Sequence, residues 1–129
     1  MMQRYPDIEI YLAQASLTAL NRWLEQTIDA PPLSPAGRGQ WKTHGTYQGR
    51  RIPVLLVEKA AEGFASLWFD SGETPWITDQ DCAQQAAEQL AVEVRCSLGG
   101  WHPGDDPDRF WQVLPDGREG PIEWPDSGR

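Results

Sequence analysis

Four side chains are of the types that bind soft metals or perform nucleophilic catalysis: His44, Cys82, Cys96 and His102. Zinc sites draw ligands from close pairs, because two ligands on one turn already face the same ion. The chain contains neither a Cys-x-x-Cys nor a His-x-x-x-His pair. A reactive thiolate needs a basic, partly exposed setting, and neither cysteine stands in one; both read as buried thiols. Gly37-Arg38-Gly39 follows a proline-rich stretch, so it lacks the strand-to-helix context of a phosphate loop. The run Asp105, Asp106, Asp108 lacks the alternating ligands, the glycine and the closing glutamate of a calcium loop. A pair such as Asp70 with Asp105 has the type needed for acid-base work. With 19 acidic residues in 129, proximity alone carries little information. No metal, no cofactor and no catalytic set is expected.

Charge is more informative. Residues 1–64 carry seven basic and six acidic side chains, and residues 65–129 carry four and thirteen, so the whole net charge of −8 belongs to the second half. Such a field repels phosphate backbones and favours basic partners. Residues 38–51 run the other way, with Arg38, Lys42, Arg50 and Arg51 beside Trp41 and Tyr47 and no acid. Four bases on an acidic chain read as a solubilised edge hairpin rather than as a nucleic-acid surface. The first ten residues hold Arg4, Asp7 and Glu9, and no apolar run approaches a membrane span. The expectation is a non-exported, cytoplasmic protein with no membrane or nucleic-acid partner.

Periodicity supplies the elements that must position these residues. Residues 7–12 alternate Ile8, Ile10 and Leu12 with polar neighbours, a strand. Ser16 caps a helix over 17–28 whose stripe is Leu17, Leu20, Leu24 and Ile28. Pro31, Pro32, Pro35, Gly37 and Gly39 then read as a stiff exposed connection. Strands at 40–47 and 52–59 flank Gln48-Gly49, and another covers 64–70. Thr78 with Asp81 opens a helix whose small stripe, Cys82, Ala83, Ala86 and Ala87, calls for close approach to a sheet. Val92, Val94, Cys96 and Leu98 alternate with outward Glu93, Arg95 and Ser97, and strands at 110–114 and 121–124 flank Pro115-Asp116-Gly117. The order β-α-β-β-β-α-β-β-β predicts an α+β fold: an antiparallel sheet with two helices on one face, an extended ferredoxin-like two-layer sandwich. Residues 1–124 make one domain and 125–129 a flexible tail. The last hairpin either extends the sheet or folds over its open face.

Strands 64–70 and 92–98, joined through a helix, run in one direction, so the loops after them, 71–77 and 99–108, leave the same end of the sheet. Function concentrates in loops held by a rigid scaffold. The candidate partner-binding residues are therefore Asp70, Glu73, Trp76, Trp101, His102, Asp105 and Asp106. Trp76 and Trp101 have an equally physical reading as lids on the core, and Asp105 and Asp106 as turn formers. The expected function is a non-enzymatic interaction or regulatory module that presents this acidic, tryptophan-bearing edge to a basic protein. The alternative is a small-molecule-binding protein or minor enzyme with a pocket between the two loops.

Overall fold

The computed structural model describes residues 4–14, 16–98 and 108–125. Its elements are β1 (Ile8–Ala13), α1 (Leu17–Ile28), β2 (Ser34–Gly37), β3 (Gln40–Tyr47), β4 (Arg50–Ala61), β5 (Phe64–Phe69), α2 (Asp79–Leu90), β6 (Val94–Ser97), β7 (Arg109–Val113) and β8 (Glu119–Glu123). The mixed α+β architecture is as expected. One strand was not: β2 lies inside the stretch that reads as an irregular connection. Its pairing with β3 shifts register between Pro35 and Gly37. An edge strand tolerates Pro35, whose missing N–H needs no partner on the solvent side.

Local chemistry sets the ends of the helices. The Ser16 hydroxyl accepts the Ala19 N–H, and Asp29 closes α1 in the left-handed conformation. Thr78 and Asp81 form a complete capping box at α2. The β3–β4 hairpin turns on Gln48 and Gly49, both at positive φ (51° and 78°), the geometry of a tight turn that follows the twist of its strands.

All eight strands form one open antiparallel sheet, in the order β2-β3-β4-β5-β1-β6-β7-β8. The chain leaves β1 through α1, starts again at the far edge, and returns as a four-strand meander that ends beside β1. β5 and β6 are both antiparallel to β1, so they do run in the same direction, with β1 between them. The last hairpin extends the sheet.

Ile8, Ile10 and Leu12 of β1, Ile52, Val54 and Leu56 of β4, Leu67 and Phe69 of β5, and Val94 and Cys96 of β6 enter one core with Leu20, Trp23, Leu24 and Ile28 of α1 and the four small residues of α2. α1 lies against β3 and α2 against β6, β1 and β7. The approach at β3 is close: a Cβ on Gly45 would stand 2.5 Å from both Cγ1 and the carbonyl oxygen of Ile28. A second cluster rests on side chains of opposite parity. Trp124 meets Tyr11, Phe64 and Phe110 edge-on, with ring centres 4.9 to 5.3 Å apart, and the Arg95 guanidinium lies over the rings of Phe64 and Trp124.

Candidate functional site

The loop after β5 is held down rather than presented. Arg4 donates to the carbonyls of Gly72, Thr74 and Trp76, and the Tyr5 N–H donates to Ile77. Trp76 is 4% exposed and packs against Trp23 and Phe69, while its indole N–H donates to Gln85. Of its two readings, its position is that of a core residue. Glu73 and Asp70 are exposed. Trp101, His102, Asp105 and Asp106 lie outside the described residues. The structure therefore does not bring the seven candidates together as one described surface; it places Asp70 and Glu73 at the rim of a loop whose aromatic faces inward.

A recess does occur, on the outward face of β3, β4 and β5. It is an open groove of about 490 Å³, and Asp70 is the one candidate that lines it. Strand register gives its geometry. Lys42 of β3, Leu55 of β4 and Trp68 of β5 are direct cross-strand neighbours in one row. In the next row His44 pairs with Pro53, and the Asp70 N–H donates to the Pro53 carbonyl. Arg51 follows Pro53 on the same face of β4, and Ser34 of the edge strand stands opposite Lys42. With strands about 4.8 Å apart and same-face residues about 7 Å apart along each strand, Leu55 and Pro53 form an apolar floor. Trp68 walls one side, and Lys42 and His44 stand on the other.

The wall is fixed. The Trp68 indole N–H donates to the Asp7 carboxylate at 2.8 Å, and behind it the Ser66 hydroxyl donates to Glu9 at 2.7 Å. Two acids, Asp7 just before β1 and Glu9 on it, are thus committed on the tryptophan side. Across the groove the bases are free: among the described residues the ion pairs are Arg95 with Glu93 and Arg118 with Asp116, and neither Lys42 nor Arg51 takes part in one. The groove therefore has a gradient, acidic toward β1 and basic toward β3.

Sequence reasoning missed Lys42, His44, Arg51, Pro53, Leu55 and Trp68 as a set. The basic run with its aromatics was the available signal. Its own aromatics, however, alternate to the other face of β3, and the ring that faces Lys42 comes from β5, which only the register reveals.

A second recess of about 380 Å³, between α2 and the β7–β8 turn, is lined by Gln84, Glu88 and Glu119 among others. Glu119 is occupied there, accepting from Gln84 and from the Trp111 indole.

Asp79 is the most perturbed carboxyl among the described residues. It is 8% exposed, accepts the Glu9 N–H and the Ser97 hydroxyl, and has its pKa raised from 3.8 to about 6 by burial, with Asp7 and Glu9 adding to the rise against those two hydrogen bonds. Its place is structural: it fills the gap where β1 and β6 part beyond Tyr11 and Arg95. Both thiols are fully buried, and burial, reinforced by Asp79, raises their pKa well above the ordinary range. Among the described residues no three His, Cys, Asp or Glu side chains are grouped to hold a metal ion, and no helix is long and apolar enough to cross a membrane. No protein-family model, curated protein or solved structure matches the chain.

Proposed function

We propose that the protein is a binding module that receives a small ligand with a flat ring in the groove across β3, β4 and β5. The observation that carries this reading is Trp68. Its ring is half-buried, its N–H is anchored to Asp7, and it stands beside an apolar floor that already exposes Leu55 and Pro53 to the groove. Ligand sites combine such an apolar lining with a few polar groups that fix orientation, and a ring pre-set by a hydrogen bond loses little freedom on binding. The reading takes up the small-molecule alternative and moves its site from the loops to the sheet. It ranks above a protein-binding acidic edge because the described part of that edge offers carboxylates without an exposed aromatic anchor. No chemical step is part of it.

Amide chemical shifts of ¹⁵N-labelled protein, followed while neutral and charged naphthalene fragments are added, test the groove. The expected shifts centre on Lys42, His44, Leu55 and Trp68, and Trp68→Ala removes them with the fold retained. Shifts centred on residues 71–77, or none at all, would overturn the reading.

A further inference from the structure

Resting on that reading, we infer that the groove selects a planar aromatic carboxylate, held with its ring against Trp68 and its anionic group between Lys42 and His44. The argument is one of charge placement. A flat ring on the Leu55 and Pro53 floor reaches from Trp68 on β5 to the β3 side chains, because the row Trp68, Leu55, Lys42 spans two strand spacings, about 10 Å. That is the length of a bicyclic ring with one substituent. At the β3 end the substituent meets the Lys42 ammonium, which has no acidic partner among the described residues, and the His44 imidazole beside it. Arg51 extends the positive border along β4.

The opposite orientation is disfavoured for an anion. On the tryptophan side the groove is backed by Asp7 and Glu9, both already accepting hydrogen bonds from protein donors, and bordered by Asp70. An anion there meets three carboxylates, which offer acceptors and no donor. Asp70 also defines the rival ligand: a cation over the Trp68 face near Asp70 would use the same ring with the opposite charge. Against it stand Lys42 and Arg51, two cations that line the groove and face one carboxylate there.

The lining limits the ligand to a small molecule. The lining ends at the edge strand, where Ser34 stands beside Lys42, and a volume of about 490 Å³ suits a bicyclic ring rather than a polymer segment. The net charge of −8 opposes a long polyanion.

The experiment compares 2-naphthoate with 2-naphthylmethylammonium, equal in ring and opposite in charge, by calorimetric titration and amide shifts. The expected result is tighter binding of the carboxylate, weakened as salt rises from about 50 to about 300 mM. Lys42→Glu should weaken it roughly five- to tenfold and Lys42→Arg should restore most of it, with both variants melting like the parent because Lys42 is exposed. Equal or tighter binding of the ammonium in the groove would overturn the carboxylate inference and leave the ring site standing. Binding of neither probe at the groove would overturn both. Carboxylate binding that is indifferent to Lys42→Glu would also overturn the inference, since the charge would then be read elsewhere.

Discussion

Asp79 opens α2 with a carboxyl that the fold holds partly against its charge. Because its folded pKa of about 6 lies above the ordinary 3.8, the folded state binds a proton more readily than the unfolded chain between those two values. The sign follows: this group makes the protein less stable above pH 6 than below pH 4, and stability is gained as pH falls through the folded value. The difference amounts to about 3 kcal/mol at most. Asp79→Asn keeps an acceptor for the Glu9 N–H and a donor toward Ser97. Urea unfolding at pH 7.5, 6, 5 and 4 should therefore show the variant gaining on the parent at pH 7.5 and losing that advantage at pH 4. A constant difference across the series would refute the assignment. The two thiols give a second check at this scale. Cys82 and Cys96 should be alkylated slowly in the native state and within the mixing time in denaturant, timed by mass, because buried thiols with raised pKa present almost no thiolate.

Among the elements, the contact of α1 with β3 is the least forgiving. Gly45→Ala would drive a methyl group into the Ile28 side chain and backbone, and overpacking against backbone costs about 1 to 3 kcal/mol or more. Gly120→Ala on β8 meets nothing within 4 Å and has an ordinary φ, so it should shift the melting point little. Comparable losses at both would show that α1 does not approach β3 this closely. On β6 the alternation was legible: Val94 is fully buried, and Val94→Asp should unfold the chain. Its neighbour Glu93 was legible only as an outward residue. It accepts from both Arg95 and Gln112, so Glu93→Ala should cost roughly 1 to 2 kcal/mol rather than nothing. Element positions follow from period and caps, which are local. Partners such as Gln112 come from register, which is not. The same distinction explains why β2 was missed: its four residues, all exposed, have no buried face to impose a period, and the pairing with β3 that makes them a strand is a tertiary fact.

For the molecule as a whole, the sheet has two unequal parts. The part from β3 to β1 is joined by long ladders, whereas β6 meets β1 through the pairs Tyr11 with Arg95 and Leu12 with Val94, supplemented by the Asp79 bridge. Hydrogen exchange should therefore show the β7 and β8 amides exchanging through a lower-energy opening than those of β4 and β5. Uniform protection across all eight strands would contradict this division. The α+β class, both helices and seven of the strands were readable from the sequence, but the groove was not. It depends on three consecutive strands, β3, β4 and β5, being paired in the one register that puts Lys42, Leu55 and Trp68 in a row.

The placement of β1 has a consequence for biosynthesis. β1 is the strand that joins the two parts of the sheet, yet it is translated before every strand it pairs with. When it leaves the ribosome it has no partner until β5 follows some fifty residues later, and its second neighbour, β6, comes some thirty residues after that. Throughout that interval the apolar residues Ile8, Ile10 and Leu12 have no strand to pair with, and an unpaired segment of this pattern is prone to aggregate. The meander from β2 to β5 closes locally, but the sheet cannot be completed until β1 is captured by β6, which follows β5 by some thirty residues. That long-range closure should make folding slow relative to helical proteins of the same length, and it places the hazard in the newly made chain rather than in the finished molecule.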